Sequence, residues 1–199
     1  MAASNDLSIK QGKTYSQILR WESAPHIYKA ITAITQAAPA RITCPTHGIP
    51  NGWRVAVVSV KGMTQINAEN SPPKDRDYHP ATVIDVNTVE LNDVNSAGFK
   101  AYTSGGYLQF YTPVDLTGHT ARMSIKDKKG GTELLSLTTV NGRLEIDTVD
   151  KSIGISLSAA DTAALTWKKG VYDLEMVSGA GVVTELLSGS VTVTTEVTT

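Results

Sequence analysis

The 199-residue chain has little of what usually announces a chemistry. It has one cysteine, Cys44, so no internal disulfide can form, which fits folding in a reducing cytoplasm. It has no long basic run, and its formal net charge is −1. Phosphate neutralisation therefore leaves no footprint, and nucleic acid is not an expected partner. No stretch approaches the roughly 20 apolar residues of a membrane span, and the opening MAASNDLSIKQGKTY has no apolar core of the signal-peptide kind. A soluble chain without membrane insertion or a cleaved signal is expected. The Gly-x-Ser-x-Gly elbow, the phosphate loop and the dinucleotide fingerprint are all missing. Helical periodicity is nearly missing too. One short candidate covers 158–165, with Ser158 as N-cap and Asp161 three residues on, in the pattern of a capping box.

What is present is strand and turn chemistry. Hydrophobic residues make up 41% of the chain and charged residues 19%, a composition that packs rather than stays disordered. The stretch GVYDLEMVSGAGVVTELLSGSVTVTTEV, 170–197, alternates Tyr172, Leu174 and Met176 with Asp173 and Glu175. That period of two describes a half-buried antiparallel strand. The Ser178-Gly179-Ala180-Gly181 segment suits a hairpin, and 182–187 reads as the return strand. Gly189 then predicts a break before a last strand carrying Val191, Val193 and Val197, a three-strand meander in all. Earlier, 6–22 reads as a hairpin or kinked strand pair, with Leu7 and Ile9 alternating before a turn at Gln11-Gly12.

In the middle, short strands are expected at 41–44, 53–60, 82–86, 88–91, 99–102 and 107–111, separated by Gly and Pro turns. Residues 70–80, NSPPKDRDYHP, read as an exposed and mobile loop. Further strands follow at about 119–127, 132–138, 143–147 and 152–157. Asn141-Gly142 there is a strong hairpin signal. Short strands with regular turns argue for an all-β sandwich.

Two stretches carry resemblances. Residues 38–106 contain Pro39, His47-Gly48, Asn51-Gly52, 60–63 (VKGM), Ile66-Asn67, 88–91 (TVEL) and 99–106 (FKAYTSGG). This pattern resembles a small β-barrel module that recurs in tailed-phage proteins and is similar to the first catalytic cysteine half-domain of ubiquitin-activating enzymes. The resemblance implies a fold, without that enzyme's chemistry. The second stretch holds 115–118 (DLTG), 121–123 (ARM), 158–160 (SAA), 172–175 (YDLE) and the strand around Gly189. It is similar to an Ig-like β-sandwich of phage tail and baseplate proteins, the N-terminal domain of baseplate upper proteins. In that family the first strands sit just ahead of the Asp-Leu-Thr-Gly segment. Here their equivalent precedes the middle segment. The resemblances therefore imply an Ig-like antiparallel sandwich, 1–30 with 112–199, holding an inserted small β-barrel, 31–111.

The reactive side chains form few constellations. Cys44 and His47 make one Cys-x-x-His pair, short of the three or four ligands of a zinc site; a small buried Cys beside a turn His is the expected reading, with no metal and no cofactor. Asp75, Asp77 and His79 alternate in the 70–80 loop, where a solvated loop is expected rather than a cation site. Asp173 and Glu175 share one strand face and lack the opposed partner that glycosidase chemistry needs. Trp21, Trp53 and Trp167 read mainly as core, although Trp53 follows an exposed-looking turn and is a candidate sugar platform.

The expectation is a non-enzymatic structural component of a tailed-bacteriophage virion, assembled in the bacterial cytoplasm. It would act in tail, baseplate or fibre attachment by self-association and by docking on other virion proteins. Candidate contacts are Leu7, Ile9 and Tyr15 in the N-terminal arm, and Asp75, Arg76, Asp77 and Tyr78 in the 70–80 loop. The alternatives are a capsid decoration or head–tail collar protein, and an adhesion module binding host-surface glycan through Trp53 or the tyrosines.

Overall fold

The structure, a computed structural model, describes residues 3–196; Val197, expected to extend the last strand, lies outside the described residues. The protein is all-β. Strands take half of the chain, and the α-helix described is five residues long. The chain divides into two compact units: residues up to Trp21 together with those from Asp115 on, and Glu22–Val114 between them.

The first unit begins with β1 (Ala3–Ser4), β2 (Leu7–Lys10) and β3 (Tyr15–Arg20). In β2 the alternation of the sequence is realised: Leu7 and Ile9 are buried while Ser8 and Lys10 are exposed. The two strands do not pair as the expected hairpin. The turn at Gly12, with φ of 72°, carries the chain from one sheet to another. Gln11 N–H donates to the Thr194 carbonyl at 2.9 Å, which holds the crossing in place.

The second unit holds β4 (Glu22–Ala30), β5 (Ala33–Ile34), β6 (Ala40–Thr43), β7 (Trp53–Val58), β8 (His79–Asp85), β9 (Thr88–Leu91) and β10 (Tyr107–Pro113). They form one antiparallel path in the order β4-β10-β7-β8-β9-β6-β5. No ladder joins β4 to β5 among the described residues, so the pairing path is open at its ends. Alternation fixes which side is core: Trp53, Val55 and Val57 of β7 are buried with Leu108 and Phe110 of β10, and Leu91 and Ile42 join them. Residues 22–30, given to the sandwich by the sequence reading, belong here, because β4 runs its length against β10. No strand forms at 99–102. Instead Phe99 and Tyr102 pack against this core, and the Tyr102 hydroxyl lies 2.9 Å from the Ile31 carbonyl.

The chain returns to the first unit with β11 (Thr120–Lys126), β12 (Glu133–Thr138), β13 (Leu144–Asp147), β14 (Ser152–Leu157), α1 (Ala159–Ala163), β15 (Lys169–Val177) and β16 (Val183–Thr194). One sheet runs β1-β16-β15-β11-β12, with β2 also on β16; the other runs β13-β14-β3. Buried side chains come from both, Met123, Ile125, Leu174 and Met176 from the first and Ile153, Ile155 and Leu157 from the second. This is a β-sandwich. The helix starts as expected: Ser158 Oγ accepts from Asp161 N–H at 3.1 Å and the Asp161 carboxylate accepts from Ser158 N–H.

Two details depart from expectation. β1 and β2 lie parallel to β16, so the sandwich is not purely antiparallel. And β16 is one strand of 12 residues that runs through Gly189, so the C-terminal stretch has two strands, not three. Gly189 is a crossing point. Between β1 and β2 the segment Asn5–Asp6 passes close over it, and a Cβ at Gly189 would overlap the Asn5 carbonyl. The Tyr172 hydroxyl donates to that same carbonyl at 2.7 Å, and Asp6 Oδ1 accepts from Ser190 N–H at 2.9 Å.

Candidate functional site

The outward face of β4, β10 and β7 in the second unit carries the densest set of polar and aromatic side chains. Its origin is the period of two in 107–111, YLQFY. Leu108 and Phe110 point to the core, which turns Tyr107, Gln109 and Tyr111 outward. Register places Tyr28 and Ala56 on either side of Gln109, and His26 opposite Tyr111. Arg54, between the buried Trp53 and Val55, joins this face.

Arg54 is the electrostatic centre. Its guanidinium makes a bidentate pair with Glu22, Nε to Oε1 at 2.7 Å and Nη2 to Oε2 at 2.6 Å. A third bond runs from Nη1 to Asp75 Oδ1 at 3.0 Å. The same group lies 5.1 Å from the Tyr78 ring centroid and 5.4 Å from that of Tyr111. The bonds to Glu22 push Arg54 above its ordinary value, with Asp75 adding to the effect. The cation is therefore matched by two carboxylates. It organises the face rather than waiting for an anion.

Behind it runs a chain of hydrogen-bonding side chains. Gln109 Nε2 donates to the Tyr78 hydroxyl at 3.1 Å, and that hydroxyl lies 3.3 Å from His26 Nε2. The His26 ring sits 4.1 Å from the Tyr111 ring. Burial is the largest influence on the Tyr78 hydroxyl and raises it above the usual phenol value.

The 70–80 loop is exposed along most of its length, as expected, but it is pinned from within. Asp77 is buried, and its carboxylate accepts from Lys74 N–H at 2.8 Å, Asn70 Nδ2 at 2.9 Å and Glu69 N–H at 3.2 Å. The Lys74 bond is the first cause that holds its carboxyl below the ordinary carboxylate value. Asp75 and Tyr78 thus join the Arg54 cluster, while Asp77 holds the loop. Arg76 turns away and pairs with Glu69 at 3.2 Å.

The other candidate residues lie elsewhere. Trp53 is wholly buried, and its Nε1 donates to the Tyr111 carbonyl at 3.0 Å. It sits at an inward register position, so no sugar can stack on it. Leu7 and Ile9 are buried in the sandwich, so their apolar face is spent within the chain and is not offered to a neighbour. Tyr15 stands on β3, half-buried, its hydroxyl donating to Gln17 Oε1 at 2.7 Å.

Cys44 and His47 are both buried. Burial pushes the Cys44 thiol up to about 11. His47 Nδ1 accepts from Ile49 N–H at 2.9 Å, and Nε2 lies 2.9 Å from the Asp85 carbonyl, so the ring braces a turn. Among the described residues no group of three or more His, Cys, Asp or Glu could hold a metal ion. Glu175 pairs with Arg122 at 2.7 Å, beside exposed Asp173.

A groove of about 360 Å³ in the same unit contains His79, whose Nδ1 is 2.9 Å from Asp93 Oδ2. None of its lining residues carries a hydroxyl or a thiol. Among the described residues no helix is long and apolar enough to cross a membrane.

Sequence reasoning missed Glu22, His26, Tyr28, Arg54, Tyr107, Gln109 and Tyr111. The signal was present in YLQFY and in HIY at 26–28, where one alternating set is apolar and the other aromatic or polar. No protein-family model matches the chain, and no curated protein matches it either.

Proposed function

We propose that this chain is a structural assembly module, and that its place is the tail, baseplate or fibre attachment of a tailed bacteriophage particle. Such a module joins neighbours through its sheets and needs no reaction of its own. The observation that carries the assembly reading is the edge strand β3. It pairs with β14 alone, and its other side carries no ladder among the described residues. Its sequence, YSQILR, contains no proline, its one charge, Arg20, is bonded to the Asp150 carbonyl at 2.7 Å, and Ile18 is 65% exposed. An unpaired edge of this kind is a ready template for β-augmentation by a second chain. The particle follows from the resemblances of the 38–106 and 115–175 stretches and rests on them.

Light scattering of the purified chain across a range of concentrations tests the assembly step. A discrete oligomer is expected, and Ile18→Lys, which places a charge on the edge, is expected to reduce it to the monomer. A chain that is monomeric throughout overturns self-association. The location is tested by antibody labelling of purified particles in the electron microscope. Label confined to the tail or baseplate is expected, and particles that lack the chain overturn the reading.

A further inference from the structure

A second feature of the outward face serves no role in assembly through β3. Beside the Arg54 cluster lies an open groove of about 520 Å³. Its floor is the sheet at Gln109, Tyr28 and Val58, and its wall is the Asn67–Ala68 and Asn70–Pro73 backbone. We infer that this groove is a binding site for a neutral saccharide, with Tyr28, braced by Tyr107, as the stacking surface.

Three observations converge on that chemistry. First, the aromatic surface is exposed and set. Tyr28 is 55% exposed and Tyr107 45%. Their rings meet edge to face at a centroid distance of 6.4 Å with planes at 85°. Each ring braces the other, so Tyr28 presents an ordered face at the groove mouth. A phenol ring in that position offers an apolar face to sugar C–H groups and a hydroxyl to solvent.

Second, the lining is neutral. Charged residues are 19% of the chain, and none lines this groove. A phosphorylated or carboxylated ligand would lose hydration there without meeting a countercharge. Arg54, the cation of the neighbouring cluster, is already bound to Glu22 and Asp75.

Third, the lining has hydrogen-bonding capacity to spare. Gln109 is only 3% exposed, and its Nε2 is committed to Tyr78. Among the described residues its Oε1 has no hydrogen-bond partner, and it is not sealed from solvent, which leaves it open to the groove. Asn70 likewise spends its Nδ2 on Asp77, and its Oδ1 has no partner among the described residues. Ser59 and Ser71 add two hydroxyls without a partner among the described residues.

Ser59 stands at φ of 63°, a left-handed conformation that a non-glycine residue adopts at a cost. It is held there by the neighbouring clasp in which Asn67 Oδ1 accepts from Val60 N–H at 2.8 Å and Nδ2 donates to Val60 O at 3.0 Å. Amide oxygens and hydroxyls facing an aromatic platform suit a polyol.

The test uses the full chain on an array of neutral, sialylated and uronate-bearing oligosaccharides, followed by calorimetric titration of the best neutral binder. Binding confined to neutral saccharides is expected. Tyr28→Ala and Ser71→Lys are each expected to raise Kd by about tenfold or more, while Tyr28→Phe stays near the parent. Both altered positions are exposed, and circular dichroism checks that the fold is retained. An array without a neutral binder, preference for acidic glycans, or parental affinity in Tyr28→Ala and Ser71→Lys each overturns the site. Light scattering of these variants is expected to match the parent, since the edge proposed for assembly is β3. Loss of saccharide binding and loss of assembly are thus read separately.

Discussion

Asp77 shows how a single carboxylate can turn a polar loop into a fixed surface. It takes three donors from within eight residues of chain, two of them backbone N–H groups. Those N–H groups have no ladder to join, so the carboxylate supplies what a strand partner would have supplied. Asp77→Ala is expected to open 69–78, seen as faster amide exchange and new proteolytic nicks confined to that segment; an unchanged exchange pattern would mean the loop is held by something else. The sign of the pH effect follows from the lowered value. Above the ordinary value of 3.8 the carboxylate is charged in both states and its contribution is complete. That contribution is lost as the pH falls through the folded value. The parent loop should therefore exchange slowly from neutral pH down to about 4 and loosen only below that. The loop's composition was legible as polar and rich in proline, and Asp75 and Tyr78 do reach the site. What could not be read was direction. Asp75, Arg76 and Asp77 are consecutive in a short 3-10 turn, and the turn sends one to Arg54, one to Glu69 and one inward. Trp53 illustrates the same limit on a strand, where one step of register exchanges the buried side chain for Arg54.

At the scale of elements, most strands could be read because their alternation is strict. The periods of β9, β11, β14 and β15 all bury one alternating set of side chains. The helix was legible from its cap. Pairing was not, because a glycine signal has several physical meanings. Gly12 turns the chain between sheets instead of folding a hairpin. Gly189 breaks nothing and makes room for a crossing backbone. That role carries a prediction. Gly189→Val would drive a side chain into the Asn5 carbonyl, which already accepts from Tyr172. The N-terminal strands are expected to peel from β16, with a loss of about 1–3 kcal/mol in urea unfolding and rapid proteolytic removal of the residues before Gln11. A variant with parental stability and an intact N-terminus would show that Asn5–Asp6 can pass β16 without the glycine.

For the whole molecule, the decisive fact is that each unit has its own buried interior. Trp53, Leu91, Leu108 and Phe110 belong to the second unit, while Met123, Ile153, Leu174 and Val191 belong to the first. The sequence showed two textures but placed their border near 30 and 112, where proline and a change of turn spacing suggested it. The division instead falls at Trp21/Glu22 and Val114/Asp115, because β4 and β10 pair with each other from Glu22–Pro113 to Ala30–Tyr107. Pro25 does not interrupt β4, since β4 is an edge strand and proline is tolerated there. Separate interiors should give separate unfolding. Leu108→Ala removes a fully buried side chain from the second unit, a change that costs about 2–5 kcal/mol. Amide exchange followed by mass spectrometry on the full chain should then accelerate across β4 to β10. The rates in β14 and β15 should stay at those of the parent, as expected when the altered site and the reporting strands lie in different cooperative units. Uniform acceleration through both units would show instead that the discontinuous sandwich cannot hold its two segments together once the domain between them opens.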